Sequence, residues 1–481
     1  MTDAIGTVRH FDMSRAYTVL ICDLVGLRFG PDGKPDCSEV RDYIELKGGR
    51  FHEGSLVGLA SLEAGRIHFF YQPDLSTRDE LIAAAGPGLY DAVIAAATFL
   101  PEETVFPQGG VRIGTGTGNM GSASWGGGSG EGGVAPLMNT PGINSRATAQ
   151  MAMKAILKII PDIDVEILNK RVGDGDFDTG RELKDYPTEK LEGKTIGVFG
   201  YGNIGRELAK VARAFGMNVR IHARGHHREW IEAEGFLYAA TPVEAAKDAD
   251  VLSVHVGLGS IDAVTGRYAN TGLVDAAVLS AMKIGSVLVN YDRGELVDIV
   301  ALEHALTSGR IRHAAIDADL FKNVETGTLS GPMKPYLALV EKHRDKLELL
   351  PHAAADTDHP SRVAGGKQAV DQIMDAICLR LVTNLKGSLP SGYKSGGTKT
   401  PPGIGPVTSD ELSRLADDRA GISQLAEMAA VQAAIWYALT NAGSEAERRA
   451  VVGARGKELL KSINLYTTRL EDLCMKGPYQ G

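Results

Sequence analysis

Short apolar runs alternate with helical patterns from Tyr17 to Ile311, the signature of layered α/β structure. The early strands read YTVLICDLV (17–25), RIHFFYQ (66–72) and DAVIAAA (91–97). RIGTG (112–116) follows, and then a glycine-rich stretch, GSASWGGGSGEGG (121–133), whose glycines match no phosphate-loop spacing. That stretch reads as a flexible loop near a domain cleft. Asn139-Thr140-Pro141-Gly142 breaks the chain, and a helix is expected from Ser145 to about Ile160. The polar segment 173–194 precedes an apolar strand from Thr195 to Phe199. The stretch from Met282 to Ile311 reads as a loop, a buried strand (Ser286 to Asn290), a tight polar turn and an amphipathic helix ending at Gly309. Beyond Pro351-His352, a helix from Ser361 to about Leu385 ends at Gly387 and Pro390. Residues 391–406 are a linker by composition, and two amphipathic helices are expected at about 409–441 and 444–475. Leu425, Met428, Ile435, Trp436 and Leu439 mark the packing face of the first, and Leu459, Leu460, Ile463 and Leu470 that of the second.

At 481 residues the chain exceeds one core, so two or three domains are expected. Hydrophobic content of 43% and charge of 23% are those of a soluble globular protein. A net charge of −9 argues against a nucleic-acid partner. Cys22, Cys37, Cys378 and Cys474 are too few and too scattered for a disulfide framework or a zinc site, so no metal is expected. The N-terminus is too polar for a signal peptide, and no apolar run is long enough to span a bilayer. A cytoplasmic protein without a membrane partner is the expectation.

GKTIGVFGYGNIGRELAKVARAFGMNVRIHAR (193–224) reads as strand, glycine turn, helix, strand. A lone GxGxxG is weak, but here Gly200, Gly202 and Gly205 follow an apolar strand and open an apolar-faced helix, the context of a dinucleotide fingerprint. Gly200 permits the tight turn, Gly202 lets the backbone approach a pyrophosphate, and Gly205 lets helix and strand pack closely. The helix N-terminus offers N–H groups and partial positive charge to the phosphates. Where an acid would take the ribose 2′-hydroxyl stands Ala223, followed by Arg224, Gly225, His226, His227 and Arg228. Donors without a carboxylate suit a 2′-phosphate, so NADP(H) is preferred and NAD(H) possible. The alternative is a solvated basic turn on an NAD enzyme.

The turn after Asn290 carries Arg293 at the carboxyl end of a parallel strand, the edge where open α/β sheets bind ligands. A guanidinium there can hold a carboxylate with two parallel hydrogen bonds and polarise an adjacent carbonyl.

With GYGNIG, VNYDRGELVDIVALEHALTSGRI and LLPHAAADT (349–357), the chain resembles the D-isomer-specific 2-hydroxyacid dehydrogenases from about residue 17 to 390. Glyoxylate/hydroxypyruvate reductases and phosphite dehydrogenases belong to that family. The resemblance implies a Rossmann dinucleotide-binding domain inserted in a flavodoxin-like α/β substrate domain, with an extra helical C-terminal extension. Residues 1–141 and 353–390 would form the substrate domain, 142–352 the NAD(P) domain, and 391–481 the linker and extension. A homodimer through the dinucleotide domain is implied. So is hydride transfer between nicotinamide and a 2-oxo or 2-hydroxy acid. Arg293 matches the family's carboxylate-binding arginine, and His352 the histidine that gives or takes the substrate proton. Thr98, Thr115, Gly116 and Thr117 are expected beside the substrate. Asn203, Ile204, Val256 and Asp317 are counted with the glycines, Ala223 and Arg224 as cofactor contacts. The family's orienting glutamate is displaced here. Strict counting from Asp317 in HAAIDADLFKNVETG (313–327) puts Lys322 at its position. Glu325 is the candidate and Asp319 the reserve. A lysine beside the histidine would depress its pKa by like-charge repulsion. The segments 256–275 and 327–346 are longer than usual for the family. Two other readings stay open: an enzyme like the adenosylhomocysteine hydrolases, and a non-catalytic dinucleotide-sensing interaction protein.

Overall fold

The computed structural model describes residues 11–398 apart from 60, 76, 87, 161–163, 176–188, 324–325 and 352–357, together with 438, 441–444 and 446–451. Strands β1 (Tyr17–Ile21), β2 (Arg50–Glu53), β3 (Ile67–Tyr71), β4 (Ala92–Ala95), β5 (Gly109–Arg112) and β6 (Leu137–Asn139) form a parallel sheet in the order β6-β5-β4-β1-β3-β2. β1, β3 and β4 are buried at every position, which explains their unbroken apolar runs, since helices cover both faces of a parallel sheet. Without the polar edge strand β2 the order is 2-1-3-4-5, the flavodoxin-like winding.

A second parallel sheet contains β7 (Thr195–Phe199), β8 (Asn218–His222), β9 (Leu237–Ala239), β10 (Val251–Val254), β11 (Ser286–Asn290) and β12 (Ile311–Ala318). Its order, β9-β8-β7-β10-β11-β12, is the 3-2-1-4-5-6 winding of a dinucleotide-binding fold. The two-stranded hairpin of β13 (Phe321–Lys322) and β14 (Leu329–Ser330) follows, and β15 (Leu347–Pro351) extends the second sheet beside β12. The chain then returns: helix His359–Leu379 packs Val363, Ala369, Val370 and Ile373 into the core of the first sheet. Beyond β16 (Leu381–Val382), strand β17 (Leu385–Lys386) pairs antiparallel with β6, and β18 (Lys394–Ser395) pairs with β16. Helix Ser145–Ile156 instead packs Ala149, Ala152 and Ile156 against Leu208 and Ala212 under the second sheet.

Two expectations are corrected, and one strand was not anticipated. The helix expected to reach about Leu385 stops at Leu379, because Arg380 turns left-handed (φ 54°) and Asn384 does so again (φ 56°), which frees Leu385 and Lys386 for the sheet edge. Strand β2, with its RFHE pattern, carried no apolar alternation to find. The glycine-rich stretch is a close-packed wall, not a flexible loop. Trp125 is fully buried within it, stacks on Phe106 and donates to the Met120 carbonyl at 2.8 Å. A Cβ on Gly128 would lie 2.7 Å from the Thr117 carbonyl oxygen, and one on Gly130 2.1 Å from that of Lys386. These glycines admit neighbouring backbone.

Both sheets lie in one compact unit, Met1–Lys394, and Ser395–Gly481 is a separate one. In the latter, residues 446–451 are helical, and the remainder of the two expected amphipathic helices falls almost wholly outside the described residues. No helix among the described residues is long and apolar enough to cross a membrane.

Candidate active site

Strand β7 runs into Gly200, whose φ of +104° a side chain resists. A Cβ there would lie 2.1 Å from the His255 carbonyl oxygen, and one on Gly205 would lie 2.3 Å from that of Gly200. Packing alone therefore demands both glycines. A Cβ on Gly202 would meet nothing within 4 Å. Gly202 is the N-cap of helix Asn203–Ala214 and supplies no side-chain cap, so the first-turn N–H groups face an open cradle bordered by exposed Asn203 and half-buried Ile204. The residues present fit a pyrophosphate. Val256 borders the same turn: its Cγ1 would lie 3.0 Å from a Cβ on Gly200. Asp317 is buried near the end of β12.

At the end of β8, Ala223 is half-buried and its carbonyl accepts from the Tyr238 hydroxyl at 3.2 Å. Arg224 and His226 are exposed. The His227 ring stands edge-on to Tyr201 at 5.8 Å, and Arg228 is engaged by Glu232 at 2.9 Å. The basic turn thus presents Arg224 and His226 at the strand end.

His255, just past β10 and against the glycine turn, is buried, with Nε2 2.8 Å from the Ser253 hydroxyl. Burial holds its pKa down to about 3, so it is neutral in the native protein at neutral pH. A histidine depressed in the folded state contributes stability that is complete above its unfolded pKa of about 6.5 and lost as pH falls toward the folded value. Between pH 7 and pH 4 the native state should lose about 3 kcal/mol through this group. Denaturant unfolding at both pH values, compared with His255→Gln, checks this.

The first sheet contributes the opposite wall. At the β1/β4 switch point, the Asp23 carboxylate accepts from the Ala96, Ala97 and Thr98 backbone N–H groups, the last two at 2.8 and 2.7 Å, and from the Thr98 hydroxyl at 2.8 Å. Asn119 Nδ2 donates to the Thr98 carbonyl at 2.8 Å from the other side. Thr115 and Gly116 are exposed in the next loop, where Asn139 Nδ2 donates to the Thr115 carbonyl at 2.7 Å. Thr117 is buried and donates to the Gly128 carbonyl at 2.7 Å. Sequence reasoning missed Asp23, whereas Asn119 lies in the run TGTGNM (115–120) that the resemblance placed beside the substrate. The available signal was an acid closing the apolar strand YTVLICD.

Arg293 rises from the turn after β11 and is partly exposed. Its Nη1 lies 3.8 Å from Asp319 and its Nε 4.0 Å from Asp292. A Cβ on Gly116 would lie 3.9 Å from its Nη2. Residues far apart in sequence, predicted separately for the substrate site, therefore meet across the two sheets. Lys322 is exposed on β13. His352 and Glu325 lie outside the described residues. Among the described residues, no group of three or more His, Cys, Asp or Glu could hold a metal ion.

A family model described as the NAD-binding domain of D-isomer specific 2-hydroxyacid dehydrogenases matches residues 153–354. A glyoxylate reductase of Aeropyrum pernix is 31% identical over 222 residues, covering 46% of this chain and 60% of that protein. A D-lactate dehydrogenase of Lactiplantibacillus plantarum is 28% identical over 228 residues, covering 46% of this chain and 63% of that one. The chain thus spans less than two thirds of the length of these relatives. A solved D-lactate dehydrogenase from Treponema pallidum superposes with a TM-score of 0.50 at 18% identity, over 75% of this chain and 96% of that one, which shows the shared fold.

Proposed function

We propose, from the premise that residues 153–354 belong to the D-isomer specific 2-hydroxyacid dehydrogenases as their NAD-binding domain, that this chain transfers a hydride between a nicotinamide dinucleotide and a D-2-hydroxy acid or its 2-oxo partner. Residues 142–352 act as the dinucleotide domain, and 1–141 with 353–390 as the substrate domain. The observation that carries this reading is the approach of Arg293 to the Gly116 loop at the same carboxyl edge of the sheet that carries an open, uncapped glycine turn.

In this reading Arg293 grips the substrate carboxylate with two parallel hydrogen bonds, which turns the 2-oxo carbon toward the cleft and polarises its carbonyl. The loops of Thr98 and Thr115–Thr117, pinned by Asp23, Asn119 and Asn139, fix the far side of the substrate without ordering it anew on binding. The Gly200–Gly205 turn and the N-terminus of helix Asn203–Ala214 would hold a reduced dinucleotide, whose chemistry would be that of a hydride donor. His352 gives a proton to the carbonyl oxygen as the hydride arrives, and takes it back in the reverse direction. Glu325 is the candidate to orient His352. Asp319, the reserve, has its carboxylate beside Arg293, which suits it better to steadying the guanidinium.

The exposed Arg224 and His226 at a strand end without an acid support NADP(H) over NAD(H). Titration of NADPH and NADH, followed by nicotinamide fluorescence, should give tight NADPH and weaker NADH binding. Gly202→Ala should melt like the wild type, because its Cβ enters open space, yet bind NADPH about tenfold or more weakly, because that space is where the pyrophosphate approaches. Equal affinity for both dinucleotides would reduce the basic turn to solvated surface. Binding of neither would remove the oxidoreductase reading.

A further inference from the structure

The segment between β12 and β15 is long, and part of it packs behind the turn that carries Arg293. From β14 it passes through Pro332 and Met333 into helix Lys334–Lys342, whose Tyr336 is fully buried. Met333 and Tyr336 join the core formed by Leu296, Val297 and Ala318. The Tyr336 hydroxyl donates to the Gly294 carbonyl at 2.6 Å. Gly294 itself is wedged: a Cβ there would lie 2.9 Å from the Cβ of Ala318 and 3.1 Å from that of Pro332. The Met333 N–H donates to the Asp319 carbonyl at 3.0 Å, which ties the same segment to the residue whose carboxylate stands beside Arg293. From the other side, Asn290, also fully buried, donates from Nδ2 to the Arg293 carbonyl at 2.8 Å. Both carbonyls of the Arg293–Gly294 pair are thus held by buried side chains from different elements.

We infer that the 332–342 segment is a buttress for Arg293, with Tyr336 as its positioning residue: its hydroxyl fixes the Gly294 carbonyl and so aims the guanidinium at the substrate carboxylate. The inference rests on the reading of Arg293 given above. A buried phenol that stays protonated is suited to the task. Burial, with Glu295 and Asp298 nearby, pushes the Tyr336 hydroxyl up, so it remains a donor across the physiological range. A bidentate clamp is sensitive to small rotations of its base, which is why a single hydrogen bond one residue from the arginine can act on substrate binding.

The test is a double-mutant cycle on the full chain with glyoxylate as substrate, combining Tyr336→Phe with Arg293→Ala, with dinucleotide affinity and melting temperature measured on every variant. Alone, Tyr336→Phe should lower kcat/KM about tenfold, chiefly by raising KM, and leave NADPH affinity unchanged. In the Arg293→Ala background it should cost nothing further. Wild-type kinetics for Tyr336→Phe would overturn the inference. So would a loss of the same size in both backgrounds, which is what a general structural role produces. Should Arg293→Ala itself turn over like the wild type, the substrate role of Arg293 fails first and the buttress loses its object.

Discussion

His352→Asn should lower kcat for reduction of a 2-oxo acid on the order of 10²–10⁴-fold while leaving the affinity for NADPH largely intact. Asparagine keeps polarity and approximate size but neither carries nor releases a proton near neutrality. The variant therefore isolates proton transfer from packing. A histidine whose charge changes near neutral pH is suited to both directions of the reaction. Strand β15, which pairs in parallel with β12, ends at Pro351, the residue before His352 in the sequence. Stopped-flow measurement of hydride transfer, with dinucleotide titration in parallel, checks the prediction. A fall in cofactor binding of the same size as the fall in rate would make His352 a structural residue.

Arg293→Lys should lower kcat/KM on the order of 10²–10³-fold, although the positive charge is kept. The loss comes from geometry. A guanidinium presents two parallel donors to a carboxylate and can reach the adjacent carbonyl, whereas an ammonium is a point charge on a flexible stem. The backbone that carries Arg293 is held in extended conformation (φ −134°, ψ 132°) before a short 3-10 turn, and helix Ile299–Thr307 then starts on Asp298, whose side chain accepts from the Ala301 N–H at 2.9 Å. That cap contributes about 1 kcal/mol to the helix that fixes the turn. The substitution should leave the melting temperature near that of the wild type, because Arg293 is 39% exposed at the side chain and packs no core. Near wild-type kinetics for the lysine variant would sink the assignment of Arg293.

Much of this site was legible in the chain because its constraints are local. Gly205 is fixed by the Gly200 carbonyl within one strand–turn–helix unit and Gly200 by its φ of +104° at the turn, so the spacing together with the flanking strand and helix carried the prediction. Arg293 was legible for a similar reason, since its strand, turn and helix are contiguous. What stayed hidden is non-local. Asp23 meets Thr98 seventy-five residues away, and Tyr336 meets Gly294 forty-two residues away, contacts that no period or propensity encodes. Glycine content misled at 121–133, because composition does not distinguish a residue chosen for flexibility from one chosen to let backbone approach Trp125 or Lys386. The long helix stopped early at an arginine in left-handed conformation, where a glycine would have given the signal.

The most direct test of hydride transfer is NADPH consumption on addition of glyoxylate, hydroxypyruvate or another 2-oxo acid, read as loss of nicotinamide absorbance with the product's configuration determined. Consumption matched one for one by a D-2-hydroxy acid, or by glycolate from achiral glyoxylate, is the predicted result. Tight NADPH binding with no consumption by any 2-oxo acid in the panel would contradict it.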